Sequence, residues 1–354
     1  MKLASLRKKI DSIDAKLITL LNERANLAKN VGKLKHRSGS GIYVADREAN
    51  IYDNVITKNK GPLSDSALKA IYREIMSGSI ALEKSLSIAY LGPEATFTNL
   101  AAIKKFGSQV IYSPCNTITE VFKDVEVGRS DYGVVPVENS VEGAVSHTLD
   151  MFINSDLKIC SEVLLDIAHN LIGREKKDKI KRVYSNPSVF GQCRIWLDSH
   201  LPNAEQIEVT STSKAAEIAS GEKGSAAIAS ILAAEKYKLK VLAKDIEDNA
   251  NNITRFLVIG RSIPSSTKKD KTSVMFYGKE RSGALHYMLN PFKKNKINLT
   301  KIESRPSKKK VWEYYFFVDM EGHSDDKKVK KALKELDNQK NVHLKVLGSY
   351  PRGA

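Results

Sequence analysis

Leu3, Leu6, Ile10, Ile13, Leu17, Leu20, Leu27, Val31 and Leu34 recur in alternating steps of three and four residues, a spacing that winds onto one face of an α-helix. A helix this long must lie against other helices, so the chain opens with an all-helical module. One slot in the stripe, between Leu20 and Leu27, is held by Arg24, a guanidinium where packing asks for carbon. A lone polar residue there would only fix register or oligomeric state. Arg24 has company. Lys35 leaves the same face three turns later, about 16 Å along the axis. The stripe of a third helix, Leu68, Ile71, Ile75 and Leu82, is interrupted by Ser79, with Glu83 one turn further on. Between these helices lies the couple Arg47-Glu48, which alone would be read as a solvated surface pair. Clustered in a core, these charges need an anion to balance them, and a small dicarboxylate suits. Arg7 lies about 25 Å from Arg24 along one helix. It reaches that site only from an antiparallel partner helix, so a dimer with sites built from both chains is expected.

With 354 residues and 42% hydrophobic composition the chain is long enough for two or three domains. No run approaches the length of a membrane span and the N-terminus is amphipathic, so a cytoplasmic protein without membrane contact is expected. Cys115, Cys160 and Cys193 are far apart, form no metal-ligand or CxxC spacing, and read as buried thiols in a reducing compartment. The net charge of +16 raises nucleic acid as a partner. The excess sits at the two ends of the chain, and at the C-terminus it is mostly Lys in runs such as KKDK and SKKK without interleaved aromatics. That is a solvated surface more than a base-reading groove, and no nucleic acid is expected.

Texture divides the chain. Residues 1–84 carry only helical signals: a long helix and two shorter ones, the third capped by Ser64 or Asp65. In 85–264, short β-rich runs (SIAYL, YGVVPV, RVYS, AAIAS, FLVIG) alternate with helical patterns, which predicts a two-lobed α/β domain with mainly parallel strands. Residues 265–271 read as a linker. Residues 272–354 follow the order βαββαβ, a ferredoxin-like α+β unit typical of regulatory modules.

Residues 1–84 resemble the all-helical chorismate mutase family, whose intertwined dimers rearrange chorismate to prephenate. The resemblance implies that Arg7 (from the partner chain), Arg24 and Arg47 grip the substrate carboxylates, that Lys35 and Glu83 face the ether oxygen, that Glu48 holds the ring hydroxyl, and that Ser79 contacts substrate. The reaction is pericyclic and needs no nucleophile, metal or cofactor, only a held conformer and stabilised charge on the breaking C–O bond. Relatives often carry Gln where this chain has Glu83, and Asp where it has Val44. An ionised carboxylate would repel the charge developing on the ether oxygen, so Glu83 is expected to act protonated.

In the α/β domain, LGPEATFTN, VPVENSVEGAV, YSNPSVFGQC, EVTSTSKAA and NITRF place polar residues at strand ends, where open sheets bind ligands. Each alone is more often a cap or a turn. As a set they resemble prephenate dehydratase, most specifically in the Thr-Arg-Phe triplet. The resemblance implies that Thr254 assists departure of the ring hydroxyl and that Thr96, Asn139, Ser140, Ser185, Gln192, Thr212 and Arg255 bind substrate. Relatives often have His-Pro-Gln where this chain has Asn186-Pro187-Ser188.

The C-terminal unit resembles ACT domains, which bind amino acids between paired copies. Gly283-Ala284-Leu285 and Glu303-Ser304-Arg305-Pro306 match the phenylalanine-responsive motifs of that family. The composite resembles a bifunctional chorismate mutase/prephenate dehydratase of phenylalanine biosynthesis, inhibited by phenylalanine and assembled as a homodimer or homotetramer. A transcription regulator shares the plan of helical module plus two-lobed effector domain. It would need a short turn and a recognition helix, and the first helix instead runs unbroken for about nine turns. A decayed module that only senses amino acids is opposed by the presence of Arg7, Arg24, Lys35, Arg47, Glu48 and Thr254.

Overall fold

A computed structural model describes residues 3–38, 44–307 and 314–353; the side chains of residues 35–38 also lie outside the described set, and with them the predicted role of Lys35. Residues 1–87 together with 105–111 form one compact unit, and 88–104 with 112–354 form another.

The first unit holds α1 (Leu3–Ser38), α2 (Ala45–Lys58) and α3 (Asp65–Glu83). Ser64 caps α3, its Oγ accepting from the Ala67 N–H. The stripe of α1 forms as its spacing demands, yet Leu3, Leu6, Ile10, Ile13, Leu17 and Leu20 are 41–63% exposed within the single chain. The single chain leaves this row of large apolar side chains uncovered. Gly32 lets α3 approach α1: a Cβ there would fall 2.6 Å from Glu83 Cγ, so Glu83 lies across the bare turn.

The second unit begins with a lobe made of β1 (Ser87–Leu91), α4 (Phe97–Phe106), β2 (Ile111–Cys115), α5 (Ile118–Glu126), β3 (Tyr132–Asn139), β4 (Gly143–Ala144), α6 (Ser146–Asn154) and β5 (Lys158–Asp166). The next lobe comprises β6 (Asn170–Gly173), β7 (Arg182–Ser185), α7 (Pro187–Gln192), α8 (Arg194–His200), β8 (Glu205–Glu208), α9 (Thr212–Gly221), β9 (Ser225–Ala229), α10 (Ile231–Lys236) and β10 (Lys240–Ala243). Then β11 (Ile253–Gly260) returns to the first lobe, giving sheets ordered β2-β1-β3-β11-β5 and β10-β6-β9-β7-β8. The expectation of mainly parallel strands is corrected here. β1–β3, β7–β8 and β7–β9 are parallel, whereas β3–β11, β11–β5, β6–β9 and β10–β6 are antiparallel. The cause is the strands that cross between lobes, which run against their neighbours.

The C-terminal part follows the predicted order: β12 (Asp270–Gly278), α11 (Ala284–Lys294), β13 (Leu299–Pro306), β14 (Tyr314–Glu321), α12 (Lys327–Asp337) and β15 (Val342–Pro351), in an antiparallel sheet ordered β13-β14-β12-β15. The stretch read as linker already contains the start of β12, where the Asp270 carboxylate accepts from Ser266, Thr267 and Lys268. One face of this sheet packs on α11 and α12 through Phe276, Phe292, Met320 and Leu336. The other face joins the first lobe in a single core, with Met275, Phe317, Leu347 and Tyr350 against Ile159 and Leu257. β15 comes so close to β5 that a Cβ on Gly348 would sit 2.2 Å from the Ile159 carbonyl oxygen. Glycine is required there.

Candidate active sites

In the helical unit, Arg24, Arg47, Glu48, Ser79 and Glu83 line one cavity of about 350 Å³. The Arg24 guanidinium donates to Ser79 Oγ at 2.8 Å, and that hydroxyl donates back to the Ile75 carbonyl at 2.7 Å. Ser79 thus points the guanidinium into the cavity. Glu83 Oε2 is buried with no hydrogen-bond partner among the described residues. Glu48 is buried, and burial together with the Glu48 charge pushes the Tyr52 phenol well above its ordinary range. Arg7 is exposed on α1 and is not among the residues lining this cavity.

Sequence reasoning missed Lys105, whose Nζ lies 2.7 Å from Glu48 Oε2 with both side chains largely buried. No local signal could have found it, because the pairing spans 57 positions and sits at the end of a helix read as part of the α/β domain.

In the α/β unit the arrangement centres on Thr254. It stands opposite Asn139 across β11 and β3, and Asn139 Nδ2 donates to Thr254 Oγ1 at 2.8 Å. The orientation of that amide is set by the chain itself. Asn139 Oδ1 accepts the N–H groups of Val141 and Glu142, each at 2.9 Å, so its NH₂ must face Thr254 and the Asn252 Oδ1 at 2.7 Å. Asn252 Nδ2 then donates to Gln192 Oε1 at 2.8 Å, and Gln192 Nε2 donates to Glu142 Oε1 at 2.7 Å. Gln192 Oε1 also faces His169 Nε2 at 2.8 Å, which assigns that nitrogen the proton. Burial lowers the His169 pKa, so this imidazole stays neutral. The donations diverge from Asn139, one to Thr254 and the other through Asn252 and Gln192 to Glu142, and Thr254 has an acceptor role filled and a hydroxyl proton left to give.

Of the residues expected to bind substrate, Asn139, Gln192 and Thr254 join this network. Ser140 flanks it, holding the turn between the Asn251 carbonyl and the Ile253 N–H at 2.9 Å each. Thr96 and Ser185 donate to backbone carbonyls: Thr96 Oγ1 to the nearby Pro93 carbonyl at 3.0 Å, and Ser185 Oγ across to the Ile228 carbonyl of β9 at 2.9 Å. Thr212 is buried at the start of α9. Asn186 caps α7, accepting from Ser188 N–H. Arg255 departs from expectation. Alternation along β11 turns it away from Thr254, toward Glu162, Asp319 and Tyr350. Asn252, Glu142 and His169 were not foreseen; the Asn251-Asn252 pair beside the triplet was their one visible signal.

In the C-terminal sheet domain, Gly283 adopts a left-handed conformation (φ 75°) before α11, and Ala284 lines a cavity of about 290 Å³ with Gly278, Arg281, Tyr287 and Met288. Leu285 packs against the core. Glu303, Ser304 and Arg305 lie elsewhere, on the edge strand β13, with Arg305 paired to Asp150 of α6 at 3.3 Å. None of these three residues lines the cavity at Ala284.

The three cysteines are buried free thiols, and burial pushes Cys115 up to about 11 and Cys160 to about 12, which leaves them inert. Among the described residues no His/Cys/Asp/Glu group could hold a metal ion, and no helix is long and apolar enough to cross a membrane.

Two separate polar sites and a small regulatory-type sheet domain on one chain define a bifunctional enzyme with an attached control module. Family models match in the same order: chorismate mutase type II over residues 6–84, prephenate dehydratase over 88–264, and the ACT domain over 272–338. A bifunctional chorismate mutase/prephenate dehydratase from Aquifex aeolicus is 49% identical, covering 99% of this chain and 98% of that protein. Its namesake from Pseudomonas aeruginosa is 47% identical over 99% and 98%. The crystal structure of prephenate dehydratase in complex with L-Phe from Arthrobacter aurescens superposes with a TM-score of 0.70 at 35% identity, covering 75% of this chain and 90% of that one. The chain belongs to the bifunctional chorismate mutase/prephenate dehydratase family.

Proposed function

We propose that the helical cavity rearranges chorismate to prephenate, that the Thr254 network converts prephenate to phenylpyruvate, and that phenylalanine bound by the ACT domain inhibits the chain, which works in the cytoplasm as a homodimer or homotetramer. The carrying observation is the fixed polarity around Thr254, with Asn139 filling its acceptor role at 2.8 Å. In the dehydratase step the ring carboxylate leaves as carbon dioxide, its bonding electrons enter the ring, and the C–O bond breaks as the departing oxygen takes a proton and leaves as water. A threonine hydroxyl is a poor acid, so its part is a hydrogen bond to that oxygen as charge develops. Aromatisation supplies the driving force.

In the mutase step Arg24 and Arg47 present guanidinium groups to carboxylates, the pairing their planar donor fork favours. Arg7 of a partner chain would complete the grip, brought there when the exposed stripe of α1 is covered by a second copy. Glu83 lines the same cavity and faces the breaking C–O bond in this reading. Glu83→Gln keeps the shape and supplies a neutral N–H donor at that place. Its mutase activity should therefore match or exceed that of the parent, measured as prephenate formation from chorismate; an inactive Gln variant would remove Glu83 from this role.

The direct test follows prephenate and phenylpyruvate separately after adding chorismate to the purified chain, with and without phenylalanine. Both products should appear, phenylpyruvate formation falling as phenylalanine is added. No turnover together with tight duplex binding would favour a regulator instead.

A further inference from the structure

The dehydratase site and the ACT domain touch the same two strands. Asn139 and Thr254 form one cross-strand pair, and the next pair along is Glu138 with Arg255. Because side chains alternate, the first pair serves the site and the second turns to the C-terminal sheet. There Arg255 is 9% exposed, and all three of its donor nitrogens are engaged. Nε reaches Glu162 of β5 at 2.7 Å, Nη1 reaches Asp319 of β14 at 2.5 Å, and Nη2 reaches the Tyr350 hydroxyl of β15 at 2.9 Å. Ser273 of β12 ties Asp319 to Tyr350 from behind, at 2.5 and 2.6 Å. Lys271 closes on Glu162 at 2.8 Å, and Lys301 of β13 on Glu138 at 2.9 Å. Three cations thus face three carboxylates, drawn from three strands of the C-terminal sheet and three of the first lobe, and β15 adds the Tyr350 hydroxyl. Lys301 also stands opposite Asp319 in the β13–β14 register, on the strand that carries Glu303, Ser304 and Arg305.

We propose that Arg255 is a positioning residue through which the C-terminal sheet holds β11, so that Thr254 stays aligned with Asn139 only while Asp319 and Tyr350 grip its guanidinium. The dehydratase is then set by the C-terminal domain through the residue adjacent to Thr254, and an effector that shifts β14 against β12 and β15 acts on turnover by that route. A charge-assisted grip of this kind, one nitrogen to each partner, has two discrete arrangements, made or broken, as a switching element needs. The inference rests on the reading that Thr254 acts in the dehydratase step.

The experiment compares the full-length chain with Asp319→Asn, Tyr350→Phe, Arg255→Lys and Arg255→Met. Dehydratase kcat and KM are measured from prephenate, inhibition from a phenylalanine titration, and mutase turnover in each sample serves as the internal control. Arg255→Met should lower dehydratase kcat about tenfold or more with little change in KM, as a misplaced group does. Asp319→Asn and Tyr350→Phe should shift the inhibiting phenylalanine concentration by roughly fivefold or more, the size of an ordinary coupling. Arg255→Lys should recover part of the kcat lost in Arg255→Met, and mutase turnover should not move. Should Arg255→Met fail to fold, the two milder variants decide the matter. Wild-type kcat and wild-type inhibition in folded Asp319→Asn and Tyr350→Phe would overturn the proposal, as would a lowered melting temperature with per-folded-molecule kinetics unchanged. Thr254→Val separates the two readings. If it stays active, the reading that Thr254 acts in the dehydratase step fails; if it is inactive while the Arg255 and Asp319 variants match the parent, this inference alone fails.

Discussion

Thr254→Val is expected to lower dehydratase turnover by about 10²–10³-fold, the range associated with losing one positioned hydrogen-bond donor to developing charge, while mutase activity in the same preparation stays at the parent level. Valine matches threonine in shape and β-preference, so β11 keeps its pairing with β3 and β5. The loss is then chemical. Removing the hydroxyl leaves Asn139 Nδ2 with one fewer acceptor near 2.8 Å, and only its bond to Asn252 remains. Leaving one polar hydrogen unpaired costs about 1–3 kcal/mol of stability, a modest fall in melting temperature that does not explain a drop of several powers of ten in rate. Thr254→Ser keeps the hydroxyl and should recover most of the turnover. Phenylpyruvate formation from supplied prephenate reads both variants directly. A Thr254→Val enzyme within tenfold of the parent would place the leaving-group contact elsewhere in the network.

Which parts of this were legible in the sequence follows from how far each interaction reaches along the chain. The α1 stripe and the intruding Arg24 are visible because helical period and residue type are local properties, and Ser79 and Glu83 announce themselves in the same way on α3. The exposure of the α1 stripe within one chain is a tertiary fact. The Thr-Arg-Phe triplet was visible as a motif, but assigning Arg255 to the substrate ignored the period of a strand, which sends neighbours to opposite faces. Applied to β11, that rule separates Thr254 from Arg255 without any coordinates. Lys105 on Glu48, and His169 and Asn252 on Gln192, join residues 23 to 60 positions apart and leave no periodic trace. Thr96 and Ser185 each give their hydroxyl proton to a backbone carbonyl, Ser185 to one 43 positions away, and a strand-end motif alone does not show where that proton goes. Strand direction failed for a related reason. Alternation of strands with helices argues for parallel neighbours only when consecutive strands stay in one sheet, and β6 to β10 form a sheet of their own before β11 returns.

Arg24→Met is expected to cost the mutase about 10²–10³-fold in kcat/KM, the scale of removing one fixed charged donor from a site that develops charge, with dehydratase activity on supplied prephenate unchanged. The substitution separates function from structure because the two push in opposite directions. Arg24 occupies a core-type slot of the α1 stripe, is half-buried, and makes a 2.8 Å hydrogen bond to Ser79 Oγ across to α3. Methionine fits such a slot, has high helix propensity and removes a desolvated cation, so the melting temperature should stay level or rise. Ser79 keeps its bond to the Ile75 carbonyl at 2.7 Å and is not orphaned by the change. Arg24→Lys retains the charge but loses the planar fork that can serve Ser79 and a carboxylate together, and should fall between the two. A chain that becomes inactive toward chorismate while folding as firmly as before shows that the guanidinium is kept for a ligand. Equal activity in all three proteins would return Arg24 to the role of a register-setting residue in the helical bundle.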